Sequence, residues 1–429
     1  MNWSSTVWSA SAERSDDGAL EAEQRRDRAV VARKRCGTCP AGYRLGGKTS
    51  SARSVIPRDK FFAAVQMGSG LALLLVFLAH THGLGAETNS TPVSVWDVTA
   101  QLMVGGGYRD NVLRTAVAPE SSAFVATTAD ASFIRISETG SQLTIFLLGE
   151  DTRYFDAPSL DYEQLFSGMA QASTPVGANS ELGAQLNYLY QHQILDVSET
   201  EAAPYRVLVD GHALTLRSWW KHNLYPGWAV QLEGTAFRQF YSDALDDFRE
   251  AAGRLSLIHS YARRSEVSVS YQSRHRFYDT REQFDSFGVI VPDTHLIYWQ
   301  NEIAGLWRHY WDAARRWLTL TRASYMWSCD NGSGYFDYDR VLLSQQVRWA
   351  DRGWEIRANA RFGWYFYRVQ RVGIERRERS YAALDLRVER RLRKHCLLYA
   401  AAEREWNSSN DALDDYRDWA ASGGVGFEF

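Results

Sequence analysis

An all-β fold, a closed antiparallel transmembrane β-barrel of about sixteen strands (about fourteen or eighteen being the neighbouring counts), is what this sequence predicts. Three observations point there. From Val93 onward apolar residues recur at every second position, so that one strand face is wholly apolar and the other strongly polar. The alternating segments are mostly longer than the ~5–6 residues usual in soluble sheets, as a tilted membrane strand must be. The connections between them are alternately short and long. Composition agrees: 16 Trp, 22 Tyr and 19 Phe against only 9 Pro suit β-structure, and a mean hydropathy of -0.37 excludes a polytopic helical membrane protein. The 429 residues carry a formal charge of -3, and no nucleic-acid partner is expected.

The N-terminal part reads differently. Residues 1–57 are polar and charged, without apolar periodicity. They are expected to be a disordered leader, or to precede a true translation start near Met67. Cys36 and Cys39 form a lone C-x-x-C; without a second ligand pair the zinc reading is weak. Residues 58–86 read as a signal peptide. Arg58 and Lys60 precede an apolar run, Leu71 to Ala79, that is too short to span a bilayer as a helix, and small residues follow, with cleavage expected after Ala86. A buried core helix is the alternative. No Cys follows the cut, which argues against a lipid anchor. Residues 87–429 then form the barrel, where Lys221 and Lys394 are the only lysines and arginine supplies nearly all the positive charge.

In chain order the expected strands cover 94–110, 122–137, 140–154, 162–175, 180–195, 205–221, 228–242, 247–262, 264–279, 295–311, 315–329, 338–350, 353–370, 379–394, 396–407 and 416–429. The stretch from Trp354 shows the pattern best: Trp354, Ile356, Ala358, Ala360, Phe362, Trp364 and Phe366 share one face, and Glu355, Arg357, Asn359 and Arg361 the other. Val267, Val269 and Tyr271 likewise oppose Glu266, Arg274 and Arg276, and Leu182, Leu186 and Tyr188 oppose Glu181, Gln185 and Asn187. Residues 124–136 and 315–328 are ambiguous. Short connections such as 177–180 and 350–353 alternate with long ones such as 109–122, 279–294, 329–339 and 369–380. Aromatic residues flank the short ones: Trp219, Trp220 and Trp228 at one, Trp311 and Trp317 at another, Trp349 and Trp354 at a third. Amphipathic rings prefer the headgroup level, so Trp220, Trp228, Trp311, Trp317, Trp349 and Trp354 are expected to form an interfacial girdle.

Long–short alternation around an even number of strands resembles bacterial outer-membrane β-barrels, with short periplasmic turns and long outer loops. The last strand strengthens the resemblance. Trp419, Val425, Phe427 and Phe429 share its apolar face, and the chain ends on Phe429, similar to the sorting signal of that family. "GGGYRDNVLRT", from Gly105, resembles the first-hairpin junction of barrels associated with exopolysaccharide loci. The near-copies "SDALDDF" and "NDALDDY", from Ser242 and Asn410, fall at loop-to-strand junctions, as expected of a barrel built from hairpins. The resemblance implies the outer membrane as location after Sec-type export. It implies outer-membrane lipids and lipopolysaccharide as surroundings, the barrel-assembly machinery as a partner of the C-terminal strand, and polysaccharide-export components as further partners.

Chemistry is expected on the polar face, which would line a lumen: Glu266, Arg274, Arg276, Glu302, Arg308, Arg348, Glu355, Arg357, Arg361, Asp385, Arg387, Glu389 and Arg391. In lipid each Arg would cost about 2–4 kcal/mol at the midplane. In a wet lumen guanidinium and carboxylate pair. Such a lining reads as an Arg-rich path for anions or, with acids interleaved throughout, as a salt-bridged wall. The loop carboxylates Asp243, Asp246, Asp247, Asp330, Asp337, Asp339, Asp411, Asp414 and Asp415 read as a solvated face, a divalent-cation site being the lesser alternative; no metal or cofactor is expected. No enzyme is expected: G-x-S-x-G, H-E-x-x-H and phosphate-loop motifs are absent, and the histidines are scattered. Cys329 and Cys396 are expected at opposite ends of the barrel, hence unpaired. A pore or export conduit for small solutes or polysaccharide leads. A non-transporting structural or assembly barrel for a surface polymer or lipoprotein system is second, and an outer-membrane lipid hydrolase third.

Overall fold

A computed structural model describes residues 96–429 except 138, 198–205, 243–244 and 263. The leader, the signal segment and its cleavage, and Cys36 and Cys39 lie outside the described residues. Strands follow one another with no helix: β1 (Trp96–Arg109), β2 (Ser122–Ile136), β3 (Gln142–Tyr154), β4 (Tyr162–Pro175), β5 (Ser180–Asp196), β6 (Arg206–Tyr225), β7 (Trp228–Tyr241), β8 (Phe248–Tyr261), β9 (Ser265–Tyr278), β10 (Gln283–Phe284), β11 (Ile290–Val291), β12 (Ile297–Tyr310), β13 (Trp317–Asp330), β14 (Tyr338–Asp351), β15 (Trp354–Val372), β16 (Glu375–Arg393), β17 (Cys396–Ser409) and β18 (Tyr416–Glu428). β10 and β11 make a small hairpin inside the loop after β9; the other sixteen close into one antiparallel barrel, each beside its sequence neighbour, with β18 returning to β1.

All sixteen expected strands form, most within two or three residues of the expected ends. The largest departures lie at two hairpins. Residues 369–380, expected as a long loop, are mostly strand, with Gly373 (φ 63°) and Ile374 as the turn. Arg and Glu there continue the ladder because its inner face meets partners, as shown below. At the other end β6 runs on to Tyr225, and Gly227 (φ 83°) makes the tight turn that a side chain would strain.

The faces are inverted relative to a soluble protein. Leu182, Leu186, Leu214, Leu216, Leu232, Leu255, Val269, Ile303, Leu343, Trp364, Leu384 and Leu398 are exposed on the outside, whereas Gln185, Thr215, Glu233, Glu250, Arg276, Gln300, Glu302 and Arg348 are buried on the inside. Closure leaves no edge with unpaired backbone groups.

β18 joins β1 through a glycine trough. Gly424 faces Gly105 and Gly423 faces Gly106, and the Tyr399 ring of β17 lies over Gly105 and Gly424. A Cβ at Gly105 would meet the Tyr399 hydroxyl at 2.1 Å.

Candidate functional site

The inner wall brings most of the expected polar residues into ion pairs. Arg348 donates twice to Glu355, at 3.0 and 2.8 Å, and Arg357 donates to the same carboxylate. On β16, Arg387 holds Glu389 at 2.6 Å and lies over the Tyr399 ring. Arg361 reaches Asp385 at 3.2 Å, and Arg391 reaches Glu428 on β18 at 2.6 Å. Glu302 accepts from Arg322 at 2.8 Å and stands 3.7 Å from Arg340. Arg276 donates to Glu250 at 2.6 Å, with Arg274 3.9 Å from the same carboxylate. Glu266 and Arg308 face each other in the β9–β12 register. One charge is thus answered by another around much of the circumference, which is how guanidinium groups tolerate a confined space.

The sequence reading passed over several participants: Arg109 with Glu403 at 2.6 Å, Arg217 with Glu233 at 2.9 Å, and Arg322, Arg340 and Glu250. All lie at inward positions of the same two-residue period, which was the available signal.

Outside, the tryptophans named for a girdle lie towards the short turns. Trp311, Trp317 and Trp354 are exposed, Trp317 packs on Trp349, Trp228 stacks on His259, and Trp220 stacks on His222. Trp219, grouped with them in sequence, does not belong: it points inward, is buried, and covers Gly183, where a Cβ would meet the ring at 1.9 Å. Val425, Phe427, Phe429 and Trp419 are exposed on the outer face.

The long-loop end is built otherwise. Arg340, Tyr367, Phe336, Leu195, Leu296, Met326, Val112, Val197, Val209, Asn407 and Asp414 are fully buried there; of the twelve largest such side chains among the described residues only Leu397 lies elsewhere. Phe248, Tyr278, Leu296, Tyr298 and Phe336 form one aromatic cluster, and Met326, Tyr338, Tyr365 and Tyr367 another. The loop after β1 turns inward, placing Val112 against Tyr154, Ala157, Leu160 and Ile194.

Asp243 lies outside the described residues; several of the other loop carboxylates serve as caps and counterions. Asp330 accepts from the backbone N–H groups of Gly332, Gly334 and Phe336, and Asp337 from that of Asp330. Asp414, expected on a solvated face, is instead wholly buried: Arg377 donates to it at 2.9 Å and Asn407 at 2.8 Å. Its charge is answered there, which a loop in water would not require. No group of three His, Cys, Asp or Glu side chains able to hold a metal forms among the described residues. Cys329, at the end of β13 rather than in the loop beyond, and Cys396 are unpaired. One Ser–His contact forms, Ser180 Oγ to His222 Nδ1 at 2.7 Å, but no described acid or amide orients the other ring nitrogen.

No family model and no curated protein matches this chain in sequence. Solved structures similar in fold include CdiB from Acinetobacter baumannii (TM-score 0.43, 10% identity, 77% of this chain and 60% of that one). Others are OprD from Pseudomonas aeruginosa (0.38, 8%, 78% and 95%) and a bacterial polysaccharide outer membrane secretin (0.38, 10%, 77% and 97%). The chain thus spans well under two thirds of the CdiB chain.

Proposed function

We propose that the chain is a pore or export conduit of the bacterial outer membrane, passing small solutes or a saccharide chain along an Arg/Glu-lined lumen. The observation that carries this is the inversion of faces around a closed barrel: the exposed face carries Leu, Val, Ile, Trp and Phe, and the enclosed face carries the buried Arg, Glu and Gln beside its apolar clusters. Such a surface is stable only against lipid, and a spanning sheet must close to satisfy its backbone. Sixteen strands enclose enough room for water. The short turns face the periplasm and the long loops the exterior, after export with cleavage near Ala86. Arg357, Arg361 and Arg387 are the central lining residues, and the work is passage rather than catalysis.

A second reading has an observation of its own. The dry packing of the long-loop end suits a structural or assembly barrel that works through its loops. Planar-bilayer recording separates the two. A conduit shows discrete conductance steps whose anion–cation preference shifts in Arg357→Ala. A barrel silent at every voltage, Arg357→Ala included, favours the structural role.

A further inference from the structure

Two hairpins overshoot the rim at the long-loop end. β5 and β6 stay paired up to Asp196 and Arg206, whereas β4 leaves β5 at His192 and β7 leaves β6 at Gly211. β15 and β16 stay paired up to Val372 and Glu375, whereas β14 leaves β15 at Tyr367 and β17 leaves β16 at Arg379. The β15–β16 ladder also breaks register between Phe366 and Arg371, and a bulge of this kind bends its strand.

These hairpins stand on opposite walls. β16 is seven strand positions from β5 one way round the barrel and nine the other. Sixteen strands at ~4.8 Å spacing and ~40° tilt make a circle roughly 30 Å across, far beyond the reach of two side chains. Yet the side chains meet. Arg379 of β16 donates to Asp196 of β5. Arg206 of β6 contacts Asp196 at 2.8 Å and, across the mouth, Asp414 at 3.4 Å; its guanidinium lies 4.6 Å above the Tyr416 ring of β18. Arg377 and Asn407 complete the shell of Asp414. The side chains of Arg206, Arg377 and Arg379 are 6%, 3% and 4% exposed. The described ends of both hairpins, at Asp196 and Arg206 and at Arg377 and Arg379, therefore lean over the lumen.

We propose that this cluster is a cross-lumen latch: Asp196 and Arg206 on one arched hairpin, Arg377 and Arg379 on the other, and Asp414 between them hold the outer mouth shut at rest. Buried ion pairs add little net stability compared with apolar packing of the same volume, so ordinary wall construction does not call for five charges here. They do supply a contact that is specific when made and parts into two hydratable halves when broken. That the latch controls passage rests on the conduit reading; that it joins the two walls does not.

The test has two arms. In a chain with Cys36, Cys39, Cys329 and Cys396 replaced by Ser, Asp196→Cys and Arg379→Cys are combined and treated with a short thiol–thiol cross-linker, because a contact through the long arginine side chain can span more than the ~7 Å between Cα atoms that a disulfide allows. The control pair, Glu181→Cys with Arg391→Cys, sits on the same two strands at the other end. Linking of the first pair at least ten times faster than the control supports the latch; equal rates overturn it. In bilayers, Arg206→Gln with Arg379→Gln opens at least ten times more often than wild type; equal opening frequencies overturn the closure. If that double variant fails to fold, Arg379→Gln alone carries the comparison. Silence of every barrel while the cross-link forms sinks the conduit and leaves the walls joined.

Discussion

The two ends of the barrel spend their charge differently. Near the short turns the Arg391–Glu428 pair is partly open to water, its side chains 47% and 23% exposed, although Arg348 and Glu355 beside another short turn are mostly covered. At the long-loop end Asp414 is wholly buried among three arginines, and aromatic clusters fill the space beside it. The same residue types therefore carry different weight. A pair in water is worth about 0–1 kcal/mol, whereas a buried charge that loses its partner costs about 3–5 kcal/mol.

Substitutions at matched places can break or sharpen this contrast. Asp414→Ala, which strands buried guanidinium groups, is expected to lower unfolding stability in urea by about 3–5 kcal/mol, against about 0–1 kcal/mol for Glu428→Ala. Similar losses at both ends would erase the distinction. Next comes the outer wall that both ends share. Leu386→Arg, placed against lipid, is expected to cost about 2–4 kcal/mol in vesicles, and a cost near zero would mean that this face is wet. Gly183→Ala sharpens the picture of the short-turn end. The new methyl collides with the Trp219 ring, and a loss of about 1–3 kcal/mol with a shift in tryptophan fluorescence is expected. The smallest effect belongs to the solvent-exposed pair of Arg238, near the end of β7, with Asp279 just beyond β9. The hydrogen bond from Arg238 holds the Asp279 carboxyl below its ordinary pKa. Its contribution is present above the unfolded-state value near 3.9 and fades as pH falls through the lower folded value. Being solvent-screened, it is worth under about 1 kcal/mol, so Asp279→Asn should shift stability slightly at neutral pH and not at all once the pH lies below the lowered folded value. Equal effects at both pH values would exclude the charge as its source.

Strand count, strand limits and the sorting of faces were legible because a membrane strand repeats one rule, apolar outward and polar inward, every second residue. Trp354 to Arg361 displays it without an exception. What escaped were relations across the barrel. Asp196, Arg206, Arg379 and Asp414 are distant in sequence, and no periodicity joins β5 to β16. Trp219 was misplaced for a related reason: beside a turn, an aromatic one position out of phase looks the same in sequence as one in phase, and only its cover over Gly183 distinguishes them. Residues 369–380 read as loop because Arg and Glu there seemed to want water, while Arg377 finds Gln370 and Asp414 instead.

The trough under Tyr399 bears on how the chain ends find each other. A slip of one residue between first and last strands would, in one direction, bring Val104 beneath the ring in place of Gly105, and the phenol would have nowhere to lie; in the other direction Gly106 would arrive there. The ring thus bars mis-threading in one direction, and the other is left to the rule that each strand turns its greasy side to lipid.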